Sequence, residues 1–176
     1  SSSAGQVDTK SDESDPGRVY TLEEIIAIAC HLAETLRQSI VNGDSEVLTK
    51  SNASPVTIAD LSVQVLVTTM LKHSLGGESI RLVAEEDSDV VGSTPAHLET
   101  IAANVKQFLP SDVIEQLDTD IDSDFVKATL EEGRDDGGDG TFWTLDPIDG
   151  TKGYVRQDGQ YVQHITMHNR RTTIFK

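Results

Sequence analysis

Cysteine is almost absent: Cys30 is the only one in 176 residues. One thiol can make no internal disulfide and no cysteine-based zinc cluster, which fits a reducing, intracellular compartment and leaves no disulfide partner to expect. Long apolar runs are also missing, so no segment reads as a membrane span. Basic residues are scarce, 14 against 30 acidic ones, for a formal net charge of −16. That balance argues against binding a nucleic acid polymer through its phosphates, because like charges repel. It leaves open a small phosphorylated substrate whose charge is met by metal ions. The opening residues, SSSAGQVDTKSDESDPG, have neither the apolar centre of a signal peptide nor the basic, acid-poor character of a transit peptide. They read as a disordered lead over 1–17.

What remains is long enough for a domain with its own core. Thr21 followed by Glu24 makes a capping box for a first helix. Its apolar stripe is Leu22, Ile25, Ile26, Ala29, Leu32, Ala33, Leu36 and Ile40, and Asn42-Gly43 ends it. Cys30 and His31 flank that stripe and read as a packed thiol and a surface imidazole. A second helix is expected from about Thr57 to His73, with Asp60 in its first turn, where a carboxylate complements the helix dipole. Residues 81–84, RLVA, read as a short strand running into the acidic turn EEDS. Thr94-Pro95 opens a third helix that Pro110 ends, and Ser111 is expected to cap a short one after it.

Two metal patterns fail on inspection. Asp118, Asp120, Asp122 and Asp124 alternate like a calcium loop, but its sixth place is Phe125, where the sharp turn needs glycine. These residues are expected instead to cap a helix over 125–132. His164 and His168 have zinc-pair spacing but no helix signals and no third ligand. The loop RDDGGDG (134–140) reads as flexible, and a strand is expected to begin near Val162, after which the alternation fails.

The chemistry concentrates in WTLDPIDGTKG (143–153). An apolar run delivers two carboxylates, Asp146 and Asp149, separated by Pro147. The proline fixes its own φ and removes a donor, so a turn is expected that lets both acids converge. Paired carboxylates suit a hard divalent cation. Gly150, Thr151 and Lys152 bring a close backbone, a hydroxyl and an ammonium, which suit a phosphate.

Three pieces in order, SPVTIAD (54–60), LVAEEDS (82–88) and FWTLDPIDGTKG (142–153), resemble the lithium-sensitive, magnesium-dependent phosphomonoesterases of the inositol monophosphatase superfamily. The SPVT before Ala59-Asp60 and the Lys-Gly after DPIDGT are most similar to its 3′(2′),5′-bisphosphate nucleotidase branch. The resemblance covers roughly residues 20–162. It implies an α+β fold in which helices pack on a mainly antiparallel sheet, the N-terminal half of a layered αβαβα sugar-phosphatase architecture. It implies two to three Mg²⁺ ions. Glu85, Asp146 and the carbonyl of Ile148 would hold the first, Asp146 and Asp149 the second, and a weaker third would touch Glu85. Asp60 and Thr151 would activate the attacking water, and the N–H groups of Gly150 and Thr151 would receive the phosphate. Lys152 either steers phosphate or pairs with a surface acid. The implied substrate is adenosine 3′,5′-bisphosphate, yielding AMP and phosphate, with its sulfated relative PAPS also used. The alternatives are an inositol polyphosphate 1-phosphatase and an inactive fragment that binds metal or a protein partner. The stretch 163–176, QHITMHNRRTTIFK, departs from the family pattern. The family's C-terminal domain, with another metal-binding aspartate, has no counterpart here, so the second metal is expected to lack a ligand.

Overall fold

The structure is a computed structural model that describes residues 17–42, 55–77, 79–86, 95–149, 154 and 162–170; for 41, 55–57, 162, 169 and 170 it describes the backbone alone. Helix α1 (Leu22–Asn42) begins with the expected reciprocal cap. The Thr21 hydroxyl accepts from the Glu24 N–H at 3.2 Å, and the Glu24 carboxylate accepts from the Thr21 N–H at 2.8 Å.

Helix α2 (Pro55–Ser74) is the centre of the molecule. Every residue from Ile58 to Leu71 is buried, as a helix must be when neighbours cover it on all sides. It packs against α1, α3 (Pro95–Phe108), α5 (Ser123–Glu131) and strand β2 (Gly140–Asp149). Two of its buried hydroxyls are satisfied within the helix: Ser62 donates to the Ile58 carbonyl and Thr69 to that of Val65. Gly76 and Gly77, at φ +84° and +77°, close its C-terminus, and the Gly77 N–H returns to the Lys72 carbonyl at 2.8 Å.

Helix α4 (Ser111–Glu115) starts one residue earlier than a Ser111 cap requires. Pro110 occupies the N-cap and Ser111 is already helical, so no side chain caps it. Asp122 caps α5, its Oδ1 accepting from the N–H groups of Asp124 and Phe125, a role that uses one aspartate of the alternating run.

The sheet has the order β1-β2-β3, with β1 Leu82–Ala84 and β3 Val162–Arg170. The α+β class stands, but the sheet is mixed. β1 runs parallel to β2, with Leu82 opposite Trp143 and Ala84 opposite Leu145. β3 is antiparallel, from Gly140 opposite Arg170 to Asp149 opposite Val162. The strand therefore runs eight residues past Val162, where alternation alone would have ended it; pairing with β2, not side-chain pattern, sustains it. Trp143 and Leu145 belong to the apolar core, and half-buried Ile165 packs against it.

The outer side of β1 is covered by residues 133–135. Ala84 N–H donates to the Gly133 carbonyl, Asp135 N–H to that of Leu82, and Val83 bridges Arg134. A Cβ on Gly133 would lie 2.8 Å from the Ala84 Cβ, so the close approach needs glycine. The RDDGGDG loop is tied down where flexibility was expected. The Arg81 guanidinium grips both oxygens of Asp135 at 2.9 Å and donates to the carbonyls of Gly137 and Asp139. A long planar donor fork can reach such a loop only once the fold brings the two together.

Candidate active site

The site forms where the parallel pairing of β1 with β2 ends, after Ala84 opposite Leu145, beside α2. Parallel strands deliver their last side chains to one edge, so Glu85 and Asp146 arrive together. The Glu85 N–H extends the ladder to the Leu145 carbonyl at 3.1 Å. Its carboxyl is hydrogen-bonded to Asp146.

Pro147 does not turn the chain. β2 continues to Asp149, and the register slips by one residue between Asp146 and Asp149. The irregularity is a bulge, the place in a sheet where a residue without an N–H fits. It re-aims Asp149, which is exposed, with Oδ2 3.5 Å from His164 Nε2 on β3. Ile148 is buried.

Asp60 is buried on α2. The helix starts at Pro55, so Asp60 lies in the second turn and the first turn carries no acid. It therefore does not serve the helix dipole, which acts mainly on the first turn.

The electrostatics are those of carboxyls crowded without a counter-charge. Burial pushes Asp60 up to about 8, helped by the charges of Glu86, Glu85 and Asp146. The hydrogen bond to Asp146 pushes Glu85 up to about 7, helped by desolvation and by the charges of Asp146, Glu86 and Asp149. Asp146 also keeps a buried oxygen, Oδ1, with no hydrogen-bond partner. An orphaned buried acceptor among like charges is a position that a cation would satisfy. Among the described residues no three His, Cys, Asp or Glu side chains converge into a closed metal cage. The donors form a pair, Glu85 and Asp146. That fits Mg²⁺, which takes one or two carboxylates and leaves its other positions to water and phosphate.

Gly150, Thr151 and Lys152 lie outside the described residues, as does Ser54. Just beyond them, Tyr154 is fully buried and its hydroxyl donates to the Ala33 carbonyl at 2.7 Å, which anchors the motif's far end to α1. Cys30 is exposed, not packed, and its thiol lies 3.2 Å from Gln163 Oε1. His168 lies on β3 with its ring stacked on Phe142 and Nε2 3.1 Å from the Thr144 hydroxyl, and on an extended strand His164 and His168 do not have the helical spacing of a zinc pair.

One contributor escaped the sequence reading. Gln64 lies one helical turn after Asp60, and its amide clamps the Glu86 backbone from both sides: Nε2 donates to the Glu86 carbonyl at 2.7 Å and Oε1 accepts from its N–H at 3.3 Å. It holds the end of β1 in place. A glutamine four positions from Asp60, on the same side of the helix, was the available signal.

Residues 19–172 match the Inositol monophosphatase family. A 3',5'-bisphosphate nucleotidase from Arabidopsis thaliana is 34% identical over 137 residues, which cover 76% of this chain and 39% of that protein. A 3'(2'),5'-bisphosphate nucleotidase from Oryza sativa is 32% identical, covering 77% and 38%. One from Schizosaccharomyces pombe is 33% identical, covering 78% and 41%. The chain thus spans about two fifths of the length of the curated relatives it matches. No helix among the described residues is long and apolar enough to cross a membrane.

Proposed function

The chain belongs to the inositol monophosphatase family, and from that premise we propose that it carries the metal- and water-handling half of a phosphomonoesterase site. The substrate we propose is adenosine 3′,5′-bisphosphate, cleaved to AMP and phosphate, with PAPS as a second substrate. The observation that carries the reading is the Glu85–Asp146 carboxyl pair with its orphaned Oδ1, set beside buried Asp60. The relatives' names favour the nucleotidase over an inositol polyphosphate 1-phosphatase.

Glu85, Asp146 and the Ile148 carbonyl would hold one Mg²⁺, and Asp146 with Asp149 a second. When bound, such ions neutralise phosphoryl charge and make water acidic enough to attack. Asp60 is the proton acceptor in this reading. Burial and the neighbouring acids raise its proton affinity in the metal-free chain, and cations held by those acids would lower it again. Thr151 would relay the proton from water to Asp60. Gly150 and Thr151 would present N–H groups to the phosphate, and Lys152 would steer it. Gln64 is a positioning residue: by clamping Glu86 it sets where Glu85 points.

The test is phosphate release from adenosine 3′,5′-bisphosphate and from an inositol bisphosphate, each with Mg²⁺ and with chelator. Release from the nucleotide alone, dependent on Mg²⁺ and lost in Asp146→Asn, is the expected result. Faster release from the inositol compound would move the substrate to that class. Retained Mg²⁺ binding by calorimetry with no turnover of either would leave a metal-binding chain and end the enzymatic reading.

A further inference from the structure

His164 has the side chain of a metal ligand, and its neighbour is an acid of the candidate site rather than His168, which is set against Phe142 and Thr144. The strand register explains the meeting. Asp146 and Asp149 are three residues apart, and on a regular strand their side chains would point to opposite faces. Their partners across β3, His164 and Val162, are only two apart, so those two positions share a face. The bulge at Pro147 absorbs the extra residue. It brings Asp146 and Asp149 to one face of the sheet, the face of His164.

The spacing is that of two ligands rather than of a hydrogen bond. His164 Nε2 stands 3.5 Å from Asp149 Oδ2, beyond the about 2.7–3.2 Å of a protein N–H···O bond. Two donors, each about 2.0–2.1 Å from a tetrahedral Zn²⁺, lie about 3.4 Å apart. Both side chains are more than half exposed, so a hydrated ion can reach them, and as an ion pair they add little stability. Asp149 is also close enough for its charge to act on Glu85, which places the pair beside the inner acids.

The donors sort into two kinds. Glu85, Asp146 and the Ile148 carbonyl offer oxygen alone, which suits Mg²⁺. The outer pair offers an imidazole nitrogen, which Mg²⁺ seldom takes and Zn²⁺ favours. Among the described residues no third donor closes this pair into a cage, so water would fill the remaining positions, as at open zinc sites. We propose that Asp149 and His164 form a mixed nitrogen–oxygen site that takes Zn²⁺ in preference to Mg²⁺, beside the all-oxygen site, with Asp146 between the two ions. This inference rests on the reading of Asp146 and Asp149 as a cation-binding pair, and not on the substrate or its hydrolysis.

A chain of net charge −16 attracts cations of every kind, so the test compares metals and variants. It uses the full 176-residue chain in a Cys30→Ser background, which removes the one thiol that could bind Zn²⁺. Calorimetry with Zn²⁺ and, separately, with Mg²⁺ reads affinity. Co²⁺ in place of Zn²⁺ reports its ligands through visible absorption. His164→Ala should weaken Zn²⁺ binding by more than about tenfold, change the Co²⁺ spectrum, and leave Mg²⁺ affinity within about twofold. Asp149→Asn should also weaken Zn²⁺, whereas His168→Ala should not. Because His164 and Asp149 are exposed, their substitution leaves the core intact. Zn²⁺ affinity and Co²⁺ spectrum unchanged in His164→Ala overturn the proposal. An equal loss in His168→Ala does so too, since it would mean scattered histidine binding. Zn²⁺ binding that depends on His164 supports the site even if no phosphate is released, an outcome that ends the enzymatic reading alone. Phosphate release with Zn²⁺ binding indifferent to His164 overturns the site and leaves the enzymatic reading standing.

Discussion

Strand β2 has two unlike flanks. On the β1 side the backbone is held from several directions: Gly133 abuts Ala84, Gln64 clamps Glu86, and Arg81 fastens the loop that follows. On the β3 side the side chains of His164, Thr166 and Met167 are exposed, and the outer backbone has no described partner. The acids divide along the same line. Asp146 pairs with Glu85 on the held flank, while the bulge at Pro147 sends Asp149 out toward His164 on the open one. The difference teaches where precision is needed. Crowded carboxyls repel, so their positions must be enforced by the groups packed around them, as Gln64 and Gly133 are on the β1 side.

The sharpest break in this comparison is chemical. Asp146→Asn should lower Mg²⁺-dependent phosphate release by more than the about 10–100-fold that outer partners of metal ligands usually carry. Gln64→Ala, which acts only by placing Glu85, should fall within that range, with Mg²⁺ affinity weakened in parallel. Calorimetry and phosphate assays on the same preparations check both; equal effects would erase the distinction between holding a metal and positioning its ligand.

Next comes packing. Gly133→Val drives a side chain into Ala84 and Gln64 and should cost about 2–3 kcal/mol of stability. Thr166→Val on the open flank should stay within about 0.5 kcal/mol. Urea unfolding of monomeric samples measures both, and similar costs would mean the flanks are not different in kind.

A smaller effect is titratable. Asp60 has its proton affinity raised on folding, to about 8, and Glu85 to about 7. The folded chain therefore binds more protons than the unfolded one across the interval. The stability from these groups is full below the unfolded carboxyl range, near pH 4, and is lost as pH rises through about 7–8. Without divalent ions the melting temperature should fall as pH rises through that window, chiefly through Asp60. Mg²⁺ should restore it at the high end, and Asp60→Asn should flatten the profile. Thermal melts with chelator and with Mg²⁺ decide it; a metal-free profile that rises through neutrality would show that the carboxyls are not crowded.

The smallest effect belongs to the loop. Arg81→Lys keeps the charge but loses the fork, and should cost about 1 kcal/mol, with faster amide exchange at residues 135–139. Arg81 and Asp135 are partly exposed, so water replaces much of what is lost.

Local signals carried much of the fold. The Thr21–Glu24 cap, the stripe of α1, Pro95 at the first position of α3 and the glycines after α2 all sit where the sequence placed them, because each depends on neighbours a turn away. The errors share a cause as well. Pro147 read as a turn and became a bulge because β3 pairs on both sides of it. RDDGGDG read as loose because its clasp, Arg81, lies more than fifty residues back. Each time, a partner distant in the chain decided the outcome.

For the site, the residues themselves pointed to Asp146 and Asp149 as a carboxylate pair, while Asp60 and Glu85, each with an ordinary reading of its own, took their roles from the resemblance of the three pieces to the family. Their division was not in the sequence. That Glu85 and Asp146 share a hydrogen bond while Asp149 turns outward follows from a parallel ladder on one side of β2 and a bulged antiparallel ladder on the other. Residue types declare what charge must be neutralised. Only strand register, set by contacts between distant segments, decides which charges face each other.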